Sequence, residues 1–364
     1  MKRTDKRQWL VGCVLLLSLS TVTITTVFAN EFSKKHDRTR QSRQFSAQVS
    51  DNNDLGCEST DLIAHVLYQH LSSFSKSMSS SGANGANVAW ESNQAKSWYI
   101  EQQRYGEQLV IGGLINNDPK AIQAGFKMFD WGFAHQAPDG SFPGTGDPFH
   151  STSFFVEAVA HTLMIIQQSP HSKEHAQKVA QYKPLIHRAA LWMISPKVWE
   201  RGIKNNQPYT HRRYLVGAAL GITGKLTGDR QLIEYGKTSI ADGLSLQQND
   251  GVNPEKGGFD SSYQMVGVVY AERWMMYFPQ DDLTPKVKAM IDRALLWEKT
   301  RILPSGKISN EGNTRTGGQE IGRVGKVKNV DYSTVIRGFT YGECVNGDRQ
   351  RGAIARKIAQ YYTH

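Results

Sequence analysis

One pattern recurs along this chain and limits what it can fold into. A long amphipathic helical stretch ends in a Gly-marked turn, a polar loop follows, and the next helix opens on polar residues. Asp139-Gly140 leads to His150-Ser151-Thr152-Ser153, and Asp250-Gly251 leads to Asp260-Ser261-Ser262-Tyr263. Ser305-Gly306 leads, after a longer excursion, to Asp331-Tyr332-Ser333-Thr334. Tyr209-Thr210-His211-Arg212-Arg213 is a related junction without the Asp-Gly turn. Apolar residues recur at helical spacing over 119–136, 152–168, 175–194, 212–227, 230–247, 262–277 and 285–300, while alternating strand patterns are nearly absent. The openings at 150, 211, 260 and 331 lie 61, 49 and 71 residues apart, a span suited to one helical hairpin with its loops. The expected fold is all-α, a single (α/α)n toroid of helical hairpins over residues 57–364.

In such a ring the inner helices run roughly parallel, so their N-terminal ends gather at one mouth. Each end offers unpaired backbone N–H groups and partial positive charge, which favour a bound anion. Ser151, Ser261 and Asp331 read as N-caps that satisfy those groups. Capping does not account for His211-Arg212-Arg213 or for Tyr263. The Ser/Gly/Asn-rich stretch at 77–87 reads as a floppy polar loop interrupting the helical pattern that begins at Asp61, and it contains no P-loop.

The N-terminus points to export. Lys2, Arg3, Lys6 and Arg7 precede an apolar stretch from Trp9 to Phe28, and Val27-Phe28-Ala29 fits a secretory cleavage site. Residues 1–29 are therefore expected to be a cleaved signal peptide; the Ser/Thr-rich second half argues against an uncleaved anchor. Residues 30–56, polar and of mixed charge, read as a flexible leader. The whole chain carries a formal charge of +10, and losing four bases and one acid with the signal leaves a clear positive excess. A secreted or periplasmic basic protein suits an acidic polysaccharide as partner, not nucleic acid, and is not held in a membrane after cleavage. Cys57 and Cys344 remain, and an oxidising compartment allows them to pair or to stay as buried thiols. No Cys-x-x-Cys or His-Glu-x-x-His suggests a metal site.

The polar residues at the helix mouths suggest acid–base chemistry on a uronic acid. In β-elimination a base takes the C5 proton and the bond from C4 to the bridging oxygen breaks. The neighbouring carboxylate resists further negative charge, so a cation or hydrogen-bond donor must stabilise the enolate-like transition state. A Tyr can act as base, acid or both where positive charge lowers its reference pKa of ~10. His150, His211, Arg212, Arg213 and Tyr263 supply this combination without a metal or cofactor. Asn253, Lys256, Gln264 and Arg315 are candidate sugar contacts on cleft loops. Hydrolysis would need paired carboxylates; Asp147 and Asp260 are the best placed, but no pair stands out. A non-catalytic secreted glycan-binding protein is the third class.

The arrangement resembles secreted α/α-toroid polysaccharide lyases, most closely the glucuronan and alginate lyases of polysaccharide lyase family 38. The resemblance rests on Pro148-Phe149-His150-Ser151, Thr210-His211-Arg212-Arg213-Tyr214, Asn249-Asp250-Gly251 through Gly258-Phe259-Asp260-Ser261-Ser262-Tyr263-Gln264, and Gly312-Asn313-Thr314-Arg315-Thr316-Gly317. It implies a Tyr and His residues sharing proton transfer, matched by Tyr263, His211 and His150. It also implies an Arg or Asn on the carboxylate, for which Arg212, Arg213 and Arg315 compete.

Overall fold

The computed structural model describes residues 55–69, 78–84, 99–322 and 327–363. The chain divides into two units, Met1–Asn53 and Asp54–His364, and every described residue belongs to the second. The expected signal peptide, and all of the leader except Leu55 and Gly56, lie outside the described residues. Those two residues belong to the folded unit: Leu55 is buried and Gly56 opens a short 3-10 turn, Gly56–Ser59.

Helices α1 (Gly106–Ile115) and α2 (Pro119–Ala134) form the first hairpin, and α3 (Pro148–Gln168) and α4 (Ala176–Met193) the second. A short α5 (Pro196–Asn206) precedes the pair α6 (Thr210–Thr227) and α7 (Arg230–Leu246). The pairs α8 (Ser261–Tyr277) with α9 (Thr284–Lys299) and α10 (Tyr332–Asn346) with α11 (Arg349–Thr363) follow. In that order α1, α3, α6, α8 and α10 pack side by side as an inner row, and α2, α4, α7, α9 and α11 back onto it from outside. The N-terminal turns Gly56–Ser59 and Ile63–Leu67 lie against α10, and Cys57 is disulfide-bonded to Cys344. Among the described residues the only β-structure is isolated bridges. The architecture is the all-α toroid of hairpins.

Sequence explains which helix goes where. Inner helix α6 is buried on every side from Thr210 to Gly224 and carries small or apolar residues all round beyond its first turn. Its outer partner α7 buries only the stripe Leu232, Gly236, Ser239, Ile240 and Gly243. Inner helix α3 is apolar enough to cross a membrane by length and composition, yet 94% of its apolar window is buried within the fold, as for a core helix. The α6–α7 crossing depends on glycine: a Cβ on Gly236 would sit 2.9 Å from the Gly217 carbonyl oxygen and 3.0 Å from the Gly221 nitrogen. Gly236→Ala must push two backbones apart. We expect it to lower stability by about 1–3 kcal/mol despite alanine's better helix propensity, read as a drop in Tm.

The Gly-marked turns are one device repeated. Around Gly140, Gly251 and Gly306 the same two backbone bonds recur: Ala137, Gln248 and Leu303 each bond the residue four further on, and the Gly N–H returns to them. Each glycine has positive φ and sits against a carbonyl of an outer helix, Arg188, Arg293 or Lys357, where a side chain would collide. The stretch at 77–87, expected to be a floppy loop, contains a fourth copy. Ser79 bonds Ala83, Gly82 bonds Ser79, and Gly82 packs on the Lys127 carbonyl of α2. Its backbone bonds are satisfied within a docked turn.

Candidate active site

The helix openings are capped by aspartates. Asp147, Asp260 and Asp331 accept from first-turn amides of α3, α8 and α10. Asp331 is therefore a cap as expected, but Ser151 and Ser261 are not, because both lie inside their helices. Helix α6 has no local side-chain cap. Glu255, from the loop before α8, serves it from a distance: its Oε1 accepts the His211 backbone N–H at 3.1 Å and His211 Nδ1 at 2.5 Å. A carboxylate only accepts, so Nδ1 carries the proton and Nε2 is the acceptor. Burial lowers the His211 pKa; Glu255 opposes this, while Arg315 and Arg212 add to it, and the ring is neutral.

The second Glu255 oxygen holds Arg315 Nη1 at 3.3 Å. Arg315 in turn lies over the Tyr263 ring, its Cζ 3.5 Å from the centroid, and the His211 and Tyr263 rings are 4.7 Å apart. Lys328 Nζ is 5.4 Å from the same Tyr263 centroid. Glu320 binds Lys256, Arg315 and Lys328, and although partial burial pushes the other way these cations hold its pKa down to about 2. Burial alone would lower the Arg315 pKa, but Tyr263, Glu255 and Glu320 outweigh it and the guanidinium is charged. His150 stands 6.3 Å from His211, ring to ring, with a buried Nδ1 that has no partner among the described residues. Burial, then repulsion from Arg212 and His211, keeps its pKa well below the usual histidine value. His150 is thus neutral and able to hydrogen-bond at the cavity wall.

A cavity of about 660 Å³ runs inward from the N-terminal ends of the inner helices. His150, His211, Tyr263, Arg315 and Lys328 form one end of its wall. Arg212 and Arg213 are not part of it. Arg212 binds Asp147 at 3.0 Å and Asn206 at 3.2 Å, tying the starts of α3 and α6 to α5. Arg213 turns outward to Asp242 on α7 and to the Asn206, Gln207 and Tyr209 carbonyls, closing the end of α5. Arg213→Ala strips several acceptors at once and is expected to cost about 1–3 kcal/mol of stability while leaving the kcat of the folded fraction unchanged. Thermal melts and active-site-titrated rates check the two halves separately.

Asn253 and Gln264 are structural too. The Gln264 side chain accepts from Asn253 N–H and donates to the Gly251 carbonyl, fixing the Asp250-Gly251 turn, while Asn253 Nδ2 faces Met290. Lys256 stays at the rim, half exposed on Glu320. Asp147 and Asp260, the best acidic candidates for hydrolysis, are occupied: Asp147 by Arg212, and Asp260 by the amides of Ser262, Tyr263, Arg315 and Thr316.

No family model and no curated protein matches the chain. Among solved structures it is similar to a protein described as glycosyl hydrolase family 88 from Bacteroides vulgatus, at 12% identity and a TM-score of 0.49, over 81% of this chain and 85% of that one.

From sequence, Glu255 and Glu157 were only two among several carboxylates available for hydrolysis and were not singled out, while Lys328 and the rest of the opposite end of the cavity went unread. There Arg273 Nη1 donates to both Glu157 oxygens at 2.8 and 2.9 Å, and its other nitrogen pairs with Glu107 at 2.6 Å. Glu107 also faces His161 Nδ1 at 2.6 Å. Arg337, Tyr68 and Tyr341 all converge on Glu58. Burial, together with Glu107 and Glu58, pushes Glu157 up to about 7 against the pull of Arg273. Glu107, though buried, is held down to about 2 by Arg273 and His161. One signal was available: Glu157 and the adjacent Glu272 and Arg273 interrupt the largely apolar runs Ser153–Ile166 and Val266–Tyr277, where a charge on an inner helix needs a buried partner.

Proposed function

We propose that the protein is a polysaccharide lyase that cleaves a uronate-containing polymer by β-elimination. The observation carrying this reading is the charged Arg315 stacked on Tyr263, beside a neutral His211 oriented by the same Glu255 that holds Arg315. His211 Nε2 takes the C5 proton, the electron pair forms the C4–C5 double bond, and the C4–O bond breaks. Tyr263 protonates the departing oxygen. Arg315 and Lys328 supply the positive charge that a uronate carboxylate needs as its α-carbon becomes enolate-like, and His150 adds a hydrogen bond. The expected substrates are glucuronan or alginate, met in a secreted or periplasmic setting.

A second reading, glycoside hydrolysis, is favoured by one observation. Glu107 and Glu157 share the cavity and their environments drive their pKa values apart, as an acid and its partner require. Both are committed to Arg273, which is why elimination is preferred. Incubation with glucuronan, alginate, pectate and glycosaminoglycans separates the readings. Ultraviolet absorbance of a new conjugated double bond is the expected result. New reducing ends without that absorbance would favour hydrolysis, and binding without cleavage would favour a glycan-binding protein.

A further inference from the structure

Three inner helices run from the Tyr263–His211 end of the cavity to its charged end, and each supplies residues at both. On α8 the lining includes Tyr263, Val266, Tyr270 and Arg273, and on α3 His150, Phe154 and Glu157. Asp331, Thr334 and Arg337 follow from the start of α10. At 1.5 Å per residue the step from Tyr263 to Arg273 is about 15 Å along the helix. The cavity therefore continues well past the reacting groups and then stops.

What stops it is fixed. Arg273 is bridged to Glu157 and Glu107, and Arg337 to Glu58, all on short bonds. Glu58 is held in place by its neighbour, since Cys57 is bonded to Cys344 of α10. Below Arg273, Tyr277 and His161 fill the next turns and are buried. Breaking into this floor would leave buried charges unpaired, which typically costs several kcal/mol. A polymer cannot thread through it.

Two floor groups still show a face to the cavity. The side chains of Glu107 and Arg337 keep 13% and 10% exposure, against 1% for Glu157 and 2% for Glu58. A carboxylate that accepts and a guanidinium that donates can together read the hydroxyls of a terminal sugar. Aromatic rings of Phe154 and Tyr270 line the wall between.

We infer that the protein acts on chain ends: one terminus of the polysaccharide enters the cavity, abuts Glu107 and Arg337, and is cut at a fixed distance from that end. The inference rests on the proposed glycan-cleaving activity but not on its being elimination. Size-fractionated glucuronan and alginate are the probes, with products resolved by mass at low conversion. The expected result is a single narrow class of short products from the first turnovers, while the residual polymer keeps its starting size. Fractions compared at equal mass below saturation should be cut at rates in inverse proportion to chain length. A broad ladder of intermediate sizes at low conversion would overturn the inference and leave the lyase reading intact. Uniform short products that carry added water would support the inference while sinking the lyase reading. Titration of the Tyr263→Phe variant with the same fractions gives a readout free of turnover. One protein bound per chain at every length is expected; stoichiometry that grows with length overturns the blind end.

Discussion

Tyr263→Phe should fold normally, still bind polymer, and lose turnover by about 10²- to 10⁴-fold, the usual range for removing a proton-transfer group. The change removes one hydroxyl and leaves the ring on which Arg315 stacks. The cavity wall and the Arg315–Glu255 contact are therefore preserved, and any loss belongs to the chemistry. Retention of more than about a third of wild-type activity, far outside that range, would reassign Tyr263 to packing. Tyr214 follows the Arg pair in sequence but is fully buried with its hydroxyl enclosed. It cannot substitute for Tyr263.

Glu255→Gln is expected to be almost as damaging, by about 10²-fold or more, although Glu255 is buried behind the residues that line the cavity. The glutamate receives His211 on one oxygen and Arg315 on the other. An amide offers one acceptor in place of two, so either the imidazole loses its orientation or the guanidinium loses its anchor. A purely structural role would lower Tm alone. A positioning role also moves the pH profile. Glu255 favours the charged form of His211, so its removal lowers the histidine pKa further, and the acid limb of kcat/KM should shift to lower pH. Stability carries a related sign. His150, His161 and His211 all have lowered pKa values in the fold, so on acidification the unfolded chain takes up protons first. Their contribution to stability is present above about pH 6.5 and is lost as pH falls below it.

The hairpin architecture was legible because it is written twice, in helical periodicity and in the Gly-marked turns. The turns at Gly140, Gly251 and Gly306 stand out because a residue with positive φ against an outer-helix carbonyl tolerates only glycine. The copy at Gly82 went unread since its surroundings are a run of serines and asparagines, which look like a linker until α2 is placed beside them. Tyr263 and His211 were readable from their position at helix openings. Which arginine joins them was not. Arg212 and Arg213 are neighbours of His211 in sequence, but successive residues on a helix point about 100° apart, so they leave the cavity for α5 and α7. Arg315 is brought in from a loop about fifty residues beyond Tyr263, anchored by Asp260 accepting the Arg315 and Thr316 amides. Sequence spacing carries no trace of such a contact. The same holds for Glu58, which reaches Arg337 across nearly the whole chain.

Product mass distinguishes elimination at a carboxylate-bearing sugar from every alternative. Elimination breaks the C4–O bond without water, so the fragment carrying the new chain end should be one water lighter than its hydrolytic counterpart and should bear the conjugated double bond. Every cleavage of glucuronan or alginate by the wild-type protein is expected to yield that lighter fragment, and Tyr263→Phe to yield almost none. Fragments that have gained one water at each cut, with no double bond, would rule elimination out.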